Sequence, residues 1–81
     1  MALFFVTYDL IKYKDYPRLW ERLGQYGAQR VLLSVWVLRS NSSALAIRDD
    51  LMNFVDKDDC LLVVQSSDWA SFNTMININQ F

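Results

Sequence analysis

The segment AQRVLLSVWVLRS, residues 28–40, decides the fold of this chain. It is rich in valine and leucine, which favour strands, and it is too long for one ordinary strand. Ser34 lies near the middle of the segment, where a serine favours a bend or a tight connection. The segment therefore predicts two strands, at roughly residues 28–33 and 35–39, that follow each other directly.

The residues before this segment predict a strand and then a helix. Residues 2–8 are apolar on both faces and rich in strand-forming side chains, as in the central strand of a sheet. In KDYPRLWERLGQYG, residues 14–27, Asp15 can cap a helix, Pro17 suits its first turn and Gly27 suits its end. Apolar side chains recur there at helical spacing: Tyr16, Leu19, Trp20, Leu23 and Tyr26.

The residues after the segment predict a second helix and two more strands. Ser42 or Ser43 can cap the helix. Its buried stripe would consist of Ala44, Ile47, Leu51, Phe54 and Val55. The polar turn DKDD, residues 56–59, precedes the apolar run CLLVVQ, residues 60–65. The final stretch TMININQF, residues 74–81, alternates apolar and polar side chains as a half-exposed strand does.

The order of these elements is strand, helix, two strands, helix and strand, followed by an additional C-terminal strand. It predicts an α+β fold, a ferredoxin-like βαββαβ two-layer sandwich with both helices on one face of an antiparallel sheet. We expect a single domain over residues 1–81, because the sequence contains no linker, repeat or low-complexity stretch.

The strands are apolar on both faces, although two helices can cover only one face. Phe4 and Val6 alternate with Leu3 and Phe5, and the other predicted strands alternate in the same way. A contiguous apolar face is rare on a soluble monomer, so the pattern predicts a homodimer in which open faces or strand edges meet. In such a dimer the alternating C-terminal stretch would join the partner's sheet edge.

The composition excludes several kinds of chemistry. The chain has no histidine, which excludes Ser-His-Asp and Cys-His catalytic sites and histidine metal ligands. Its one cysteine, Cys60, excludes an internal disulfide and a cysteine zinc cluster, and its apolar neighbours predict a core position. Two glycines are too few for a phosphate-binding loop. Because neither a membrane-length apolar run nor a secretory signal is evident, we expect a cytoplasmic protein without a membrane partner.

The net charge of −1 conceals an uneven distribution. Residues 1–40 have six basic and three acidic side chains, whereas residues 41–81 have two basic and six acidic ones. Four of the basic side chains follow the first strand closely: Lys12, Lys14, Arg18 and Arg22. They would suit a site that handles phosphate groups. The alternative is that they are ordinary solvated positions on a loop and a helix face.

Four parts of the sequence carry a family resemblance: VTYDL at residues 6–10, Tyr26 with Gly27, RVLLSVWVL at residues 30–38, and DDCLLVV at residues 58–64. In this order and spacing, across residues 3–66, the chain resembles the small CRISPR-associated endoribonuclease family. Members of that family are the lesser of the two universal spacer-acquisition proteins. The chain is also similar to the family's non-CRISPR relatives, which include the virulence-associated protein D toxins.

The resemblance implies a dimeric ferredoxin-like nuclease that cleaves phosphodiesters of RNA or DNA. In the family, the aspartate that ends the first strand is the metal ligand, and that catalytic role falls on Asp9. Two copies of Asp9 would face each other across the dimer, and Mg²⁺ suits such a pair because it binds few carboxylates and keeps waters and phosphates. Arg18 corresponds to basic residues that would contact phosphate. Ser34 stands where the family has Ser-Val-Phe, and would position backbone or contact substrate.

The sequence also departs from the family's pattern. Leu32 stands where members that act in spacer acquisition commonly have a glutamine, and this chain has fewer basic residues. These departures favour the non-CRISPR relatives. The alternative to a nuclease is a non-catalytic dimeric module, structural or regulatory, with the same fold. Correspondingly, Asp9 would be a turn cap, Arg18 a solvated helix residue and Ser34 a bend residue.

The acidic turn and the tryptophans are two further features of the sequence that bear on function. The acidic turn at residues 56–59 lacks the glycine and the following glutamate of a calcium loop, so we expect a solvated turn. Trp20 and Trp36 fall at core or interface positions. Trp69 lies in a predicted loop where no core pattern requires it, which makes it the aromatic side chain expected to contact a partner.

Overall fold

The computed structural model of the chain describes residues 1–11 and 16–81. Its strands and α-helices are β1 (Ala2–Asp9), α1 (Tyr16–Gln25), β2 (Gln29–Leu32), β3 (Val35–Ser40), α2 (Ala44–Leu51) and β4 (Cys60–Ser66). Single 3₁₀ turns lie at Met52–Phe54 and at Ile78–Gln80. The order of elements predicted from the sequence is therefore confirmed as far as β4.

The four strands form one antiparallel sheet in the order β2–β3–β1–β4. β1 is an inner strand that pairs with both β3 and β4, and its last pair joins Asp9 to Cys60. β2 and β4 are the edge strands. This strand order and two helices on one face are the architecture of the predicted ferredoxin-like sandwich.

Local sequence signals set the ends of the elements. Gly27 ends the turn after α1 with a φ of 74°, a left-handed conformation that glycine adopts without strain. Ser43 caps α2, because its hydroxyl accepts a hydrogen bond from the N–H of Ala46 at 3.1 Å. Ser34 lies in the tight turn between β2 and β3, as predicted. The predicted cap of α1, Asp15, lies outside the described residues.

The face of the sheet under the helices is closed. Large side chains from β1, β3 and both helices are buried there in one core: Phe4, Val6, Tyr8, Leu10, Leu19, Leu23, Leu38, Ile47 and Leu51. The apolar stripes predicted for the two helices supply this core, and its burial is the main source of stability. Within residues 1–11 and 16–81, the helices are too short and too polar to cross a membrane.

The second face of the sheet is covered in part by the chain's own C-terminal segment, residues 67–81. Ile78 of this segment is 3% exposed and packs in a second core with Leu3, Val31 and Val37. Trp69, Ile76 and Phe81 pack around that core. The sequence correctly indicated that something beyond the helices covers this face, but part of that cover comes from the same chain.

The predicted additional C-terminal strand is wrong. Residues 67–77 form turns, bends and irregular structure, and a 3₁₀ turn follows at Ile78–Gln80. The Asn77 side chain accepts a hydrogen bond from the N–H of Asn79 at 3.0 Å, which favours a turn over an extended strand. The alternation in the sequence is real, but it places Ile76 and Ile78 against the sheet without a ladder of backbone hydrogen bonds.

The C-terminal segment leaves the β4 side of the second face bare. Residues that lie directly opposite each other on paired strands share a face, and Thr7 pairs with Leu62 while Asp9 pairs with Cys60. Leu62 is 56% exposed and Val64, further along β4, is 43% exposed. We name these five residues, Thr7, Asp9, Cys60, Leu62 and Val64, the open strip. It is an apolar surface with one carboxylate at its end.

Candidate functional site

Asp9 is the last residue of the inner strand β1 and belongs to the open strip. The alternation of a strand directs it away from Tyr8, which is buried under the helices. Asp9 is exposed, and its carboxylate has no hydrogen bond or ion pair within residues 1–11 and 16–81. The sheet therefore presents an exposed carboxylate whose oxygens accept no hydrogen bond from a described residue.

Asp59, rather than Asp9, binds the backbone just after β1, at Ile11. Its Oδ1 accepts a hydrogen bond from the backbone N–H of Ile11 at 2.7 Å, and its Oδ2 accepts one from the N–H of Asp56 at 2.8 Å. Residues 57–59 form the predicted turn, with Lys57 and Asp58 exposed, and the sequence did not indicate the hydrogen bonds of Asp59. The structural task that the sequence offered as an alternative for Asp9 is carried out by a different carboxylate.

A shallow groove of about 210 Å³ lies beside Asp9. Its lining consists of Thr7, Tyr8, Asp9, Cys60, Leu61 and Leu62. Asp9 supplies the carboxylate of this groove, and the described part of the chain contains no group of three or more aspartate, glutamate, cysteine or histidine side chains that could hold a metal ion. One copy of the chain thus offers a single carboxylate in this groove.

Ser34 lies at the same end of the sheet as Asp9. β3 begins at Val35, which pairs with Thr7, so the turn that contains Ser34 extends beyond Thr7 in the direction of Asp9. Ser34 is half-buried. The structure brings these two predicted site residues to one end of the sheet, on neighbouring chain segments.

Arg18 does not join Asp9 in one copy of the chain. It lies on α1, in the helix layer, and its guanidinium donates a hydrogen bond to the carbonyl oxygen of Asn53 at 3.0 Å. Its guanidinium also lies 5.9 Å from the ring centroid of Phe54. The other two basic residues near the end of β1, Lys12 and Lys14, lie outside the described part of the chain.

Two other predictions from the sequence are corrected by the structure. Cys60 is exposed on the open strip and is not a core residue, because the apolar run that begins there alternates between the two faces of an edge strand. Trp69 packs against the second core, beside Ile76 and Phe81. The sequence could not predict this contact of Trp69, because residues 67–73 are irregular and have no helical or strand periodicity.

An aromatic cluster around Arg30 was missed by the sequence analysis. The Tyr8 hydroxyl accepts hydrogen bonds from the indole N–H groups of Trp20, at 2.8 Å, and Trp36, at 3.1 Å. The Arg30 guanidinium lies 4.1 Å from the ring centroid of Trp20 and 5.2 Å from that of Trp36. Arg30 pairs with Trp36 across the β2–β3 hairpin, so the hairpin predicted around Ser34 was the signal for this contact.

A second polar cluster joins the two helices. Asp50 accepts two hydrogen bonds from Arg22, at 2.8 and 3.1 Å, and one from the Tyr26 hydroxyl at 2.6 Å. The Arg22 hydrogen bond, assisted by that of Tyr26, lowers the pKa of Asp50 below its ordinary value. Burial and the hydrogen bond to Asp50 raise the pKa of Tyr26. Arg22 therefore joins α1 to α2 through Asp50, and it lines a small surface groove together with Arg18.

Comparison with known protein families matches this chain to the model described as CRISPR-associated protein Cas2. The matched residues, 1–74, include Asp9, every strand and both α-helices. The match extends over far more than half of the 81 residues, and it agrees with the resemblance seen in the sequence. This chain therefore belongs to the Cas2 family of CRISPR-associated proteins.

Proposed function

We propose that two copies of this chain meet through the open strip and form a metal-dependent endonuclease that cleaves phosphodiesters of RNA or DNA. Membership of the Cas2 family supports a CRISPR-associated, nuclease-like role. The observation that carries the proposal is the Asp9 carboxylate, which lies on the inner strand without a partner in the described chain while Asp59 binds the backbone at Ile11. A carboxylate with no structural task beside bare apolar surface is suited to binding.

The open strip supports the dimeric part of this proposal. Leu62 and Val64 are largely exposed on an edge strand, where a second copy of the same surface would bury them. A symmetric contact along the strip would also bring the two Asp9 carboxylates towards each other. Like charges repel at short distance, so this arrangement requires a cation between them. Mg²⁺ answers that requirement and leaves coordination positions for water and phosphate.

The chain's own residues would perform three tasks in this site. Asp9 holds the ion, the flanking pairs of β1 keep its carboxylate in place, and Ser34 contacts the substrate from the neighbouring turn. When bound, Mg²⁺ supplies charge stabilisation at the phosphodiester and makes a bound water more acidic. Arg18 would contact phosphate only from the helix layer, because in one copy it lies apart from the open strip.

The second candidate function is a non-catalytic dimeric module that uses the same open strip for assembly or regulation. Both candidates require two copies, but only the nuclease requires the Asp9 carboxylate to be charged. The substitution Asp9→Asn removes the charge and keeps the shape of the side chain, so it distinguishes the two functions.

The test is cleavage of labelled single-stranded RNA, single-stranded DNA and duplex DNA by the purified chain, with Mg²⁺ and with a chelator. We expect Mg²⁺-dependent cleavage by the natural chain, reduced to the level of the chelator control in Asp9→Asn. The matched control is Asp68→Asn, an exposed aspartate on the loop after β4, which should leave the cleavage rate unchanged. Cleavage by Asp9→Asn at the natural rate would contradict the proposed role, and no cleavage by any variant would favour the non-catalytic module.

A further inference from the structure

Arg30 lies against two indole rings, yet its guanidinium has no hydrogen-bond or ion-pair partner among residues 1–11 and 16–81. Its guanidinium lies 4.1 Å from the ring centroid of Trp20 and 5.2 Å from that of Trp36, and its Nε atom is buried without a hydrogen-bond acceptor. The two terminal nitrogens donate no hydrogen bond to a described residue and are not buried, so they reach the surface. Two indole rings thus fix the plane of the guanidinium while its outer N–H groups remain open.

The other arginines of the chain show that this arrangement is exceptional. Arg18 donates to the carbonyl oxygen of Asn53, and Arg39 donates to the carbonyl oxygen of Phe81. Arg22 and Arg48 bind the carboxylates of Asp50 and Asp49, respectively. Among the described residues, Arg30 is the arginine without an acceptor, although the chain has nine acidic side chains.

We propose that Arg30 is the anchor of a phosphate-binding site on the β2 side of the helix-covered face, separate from Asp9 and the open strip. A planar guanidinium matches two oxygens of a phosphate group with two parallel N–H donors. Here the indole rings keep water from its faces, which strengthens its attraction to an anion. The rings also fix the side chain before binding, which lowers the entropic cost of ordering it.

Phosphate fits this site better than a carboxylate does. Free phosphate or a terminal phosphate group carries a charge of about −1.5 to −2 near neutral pH, so a single guanidinium attracts it more strongly than it attracts a carboxylate. A phosphodiester has a single negative charge, but its two tetrahedral oxygens still match the two N–H donors of the guanidinium. β2 is an edge strand, so a phosphate group can approach the guanidinium from the side of the sheet. The source of the phosphate group, either free phosphate or the backbone of an oligonucleotide, is distinguished by the test.

The test follows the arginine Nε–H signals of the ¹⁵N-labelled chain by NMR during titration with inorganic phosphate, pyrophosphate or a single-stranded oligonucleotide. All titrations are run without metal and at constant ionic strength. We expect the Arg30 signal, assigned by its loss in Arg30→Lys, to shift in a saturable way while the Arg48 signal does not. A shift with phosphate and pyrophosphate identifies free phosphate as sufficient, and a shift with the oligonucleotide alone identifies the phosphodiester backbone.

The controls decide between this site and a general charge effect. Arg30→Lys retains the charge but loses the planar fork, so we expect its affinity, measured through tryptophan fluorescence, to fall at least about tenfold. Arg48→Lys, on the surface of α2, should bind like the natural chain. Absence of any Arg30 shift, an equal shift with acetate, or unchanged affinity in Arg30→Lys would overturn the proposal. Because metal and Asp9 take no part, Asp9→Asn should bind phosphate normally even if the proposed nuclease activity fails.

Discussion

The two faces of the sheet are closed in different ways. Two regular helices cover the first face, where nine side chains form a buried core and further apolar side chains around it are partly buried. On the second face, an irregular C-terminal segment covers the side towards β2 and leaves the open strip along β4. The residues of the first face are therefore fixed by folding. Those of the open strip are unused by folding, and the candidate site lies among them.

The comparison shows how a small domain keeps a surface available for function. A short segment with one deeply buried anchor, Ile78, closes enough of the second face to stabilise the sheet. The same segment leaves Asp9, Leu62 and Val64 exposed. Substitutions on the helix-covered face, on the C-terminal segment and at Asp9 should therefore have different effects.

The largest effect is expected for the closed face. Leu38→Ala removes a fully buried side chain between β3 and the helices, where the surroundings cannot collapse into the cavity. We expect a loss of about 3 kcal/mol in the free energy of unfolding, measured by urea denaturation. A loss below about 1 kcal/mol would show that the helix-covered core is less tightly packed than the structure indicates.

A smaller loss is expected for the segment that closes part of the second face. Ile78→Ala should cost about 2 kcal/mol, because Ile78 is the one deeply buried side chain of residues 67–81. Phe72→Ala is the matched control on the same segment, since Phe72 is 87% exposed, and it should change stability by less than about 0.5 kcal/mol. Equal effects of the two substitutions in denaturation curves would mean that the segment does not pack as described.

Asp9, the last residue of β1, and Asp59, which binds the backbone of Ile11, should differ in their structural roles. Asp59→Asn retains one acceptor oxygen but loses the charge and the second acceptor, so we expect a loss of about 1 kcal/mol. Asp9→Asn should leave the free energy of unfolding unchanged, because the Asp9 carboxylate has no partner in the described chain. Thermal denaturation of both variants tests this difference, and a destabilised Asp9→Asn would restore the interpretation of Asp9 as a turn cap.

The smallest effect is expected at the outer surface of the helix layer. Arg22 and Tyr26 hydrogen bonds lower the pKa of Asp50, so the charged carboxylate stabilises the folded chain. That contribution is complete above the ordinary pKa of 3.8 and is lost as the pH falls through the lowered value. Asp50→Asn should therefore melt slightly below the natural chain at neutral pH, with a difference that shrinks in acid. A difference that does not change with pH would contradict the assignment.

Much of the fold could be predicted from the sequence because its signals are local. Helical spacing, the cap at Ser43, the stop at Gly27 and the break at Ser34 each act within a few residues. The C-terminal segment could not be predicted in this way. Its alternating side chains have the period of a strand, and only contacts with a distant part of the chain, such as Val31, show that they belong to an irregular cover.

The candidate site was predicted less completely than the fold. The position of Asp9 at the end of an inner strand followed from the apolar run before it and from the family resemblance. The role of Asp59 depends on the N–H of Ile11, which lies 48 residues earlier, and the sequence has no signal for so distant a hydrogen bond. The Arg30 cluster likewise depends on Trp20, because α1 brings that ring over the hairpin.

We propose that two copies meet along the open strip and hold Mg²⁺ between their Asp9 carboxylates. Sedimentation velocity of the natural chain and of Asp9→Asn, each with Mg²⁺ and with a chelator, tests this claim most directly. We expect Mg²⁺ to increase the dimeric fraction of the natural chain and to have no such effect on Asp9→Asn. A natural chain that stays monomeric with Mg²⁺, or an equal Mg²⁺ response in Asp9→Asn, would contradict it.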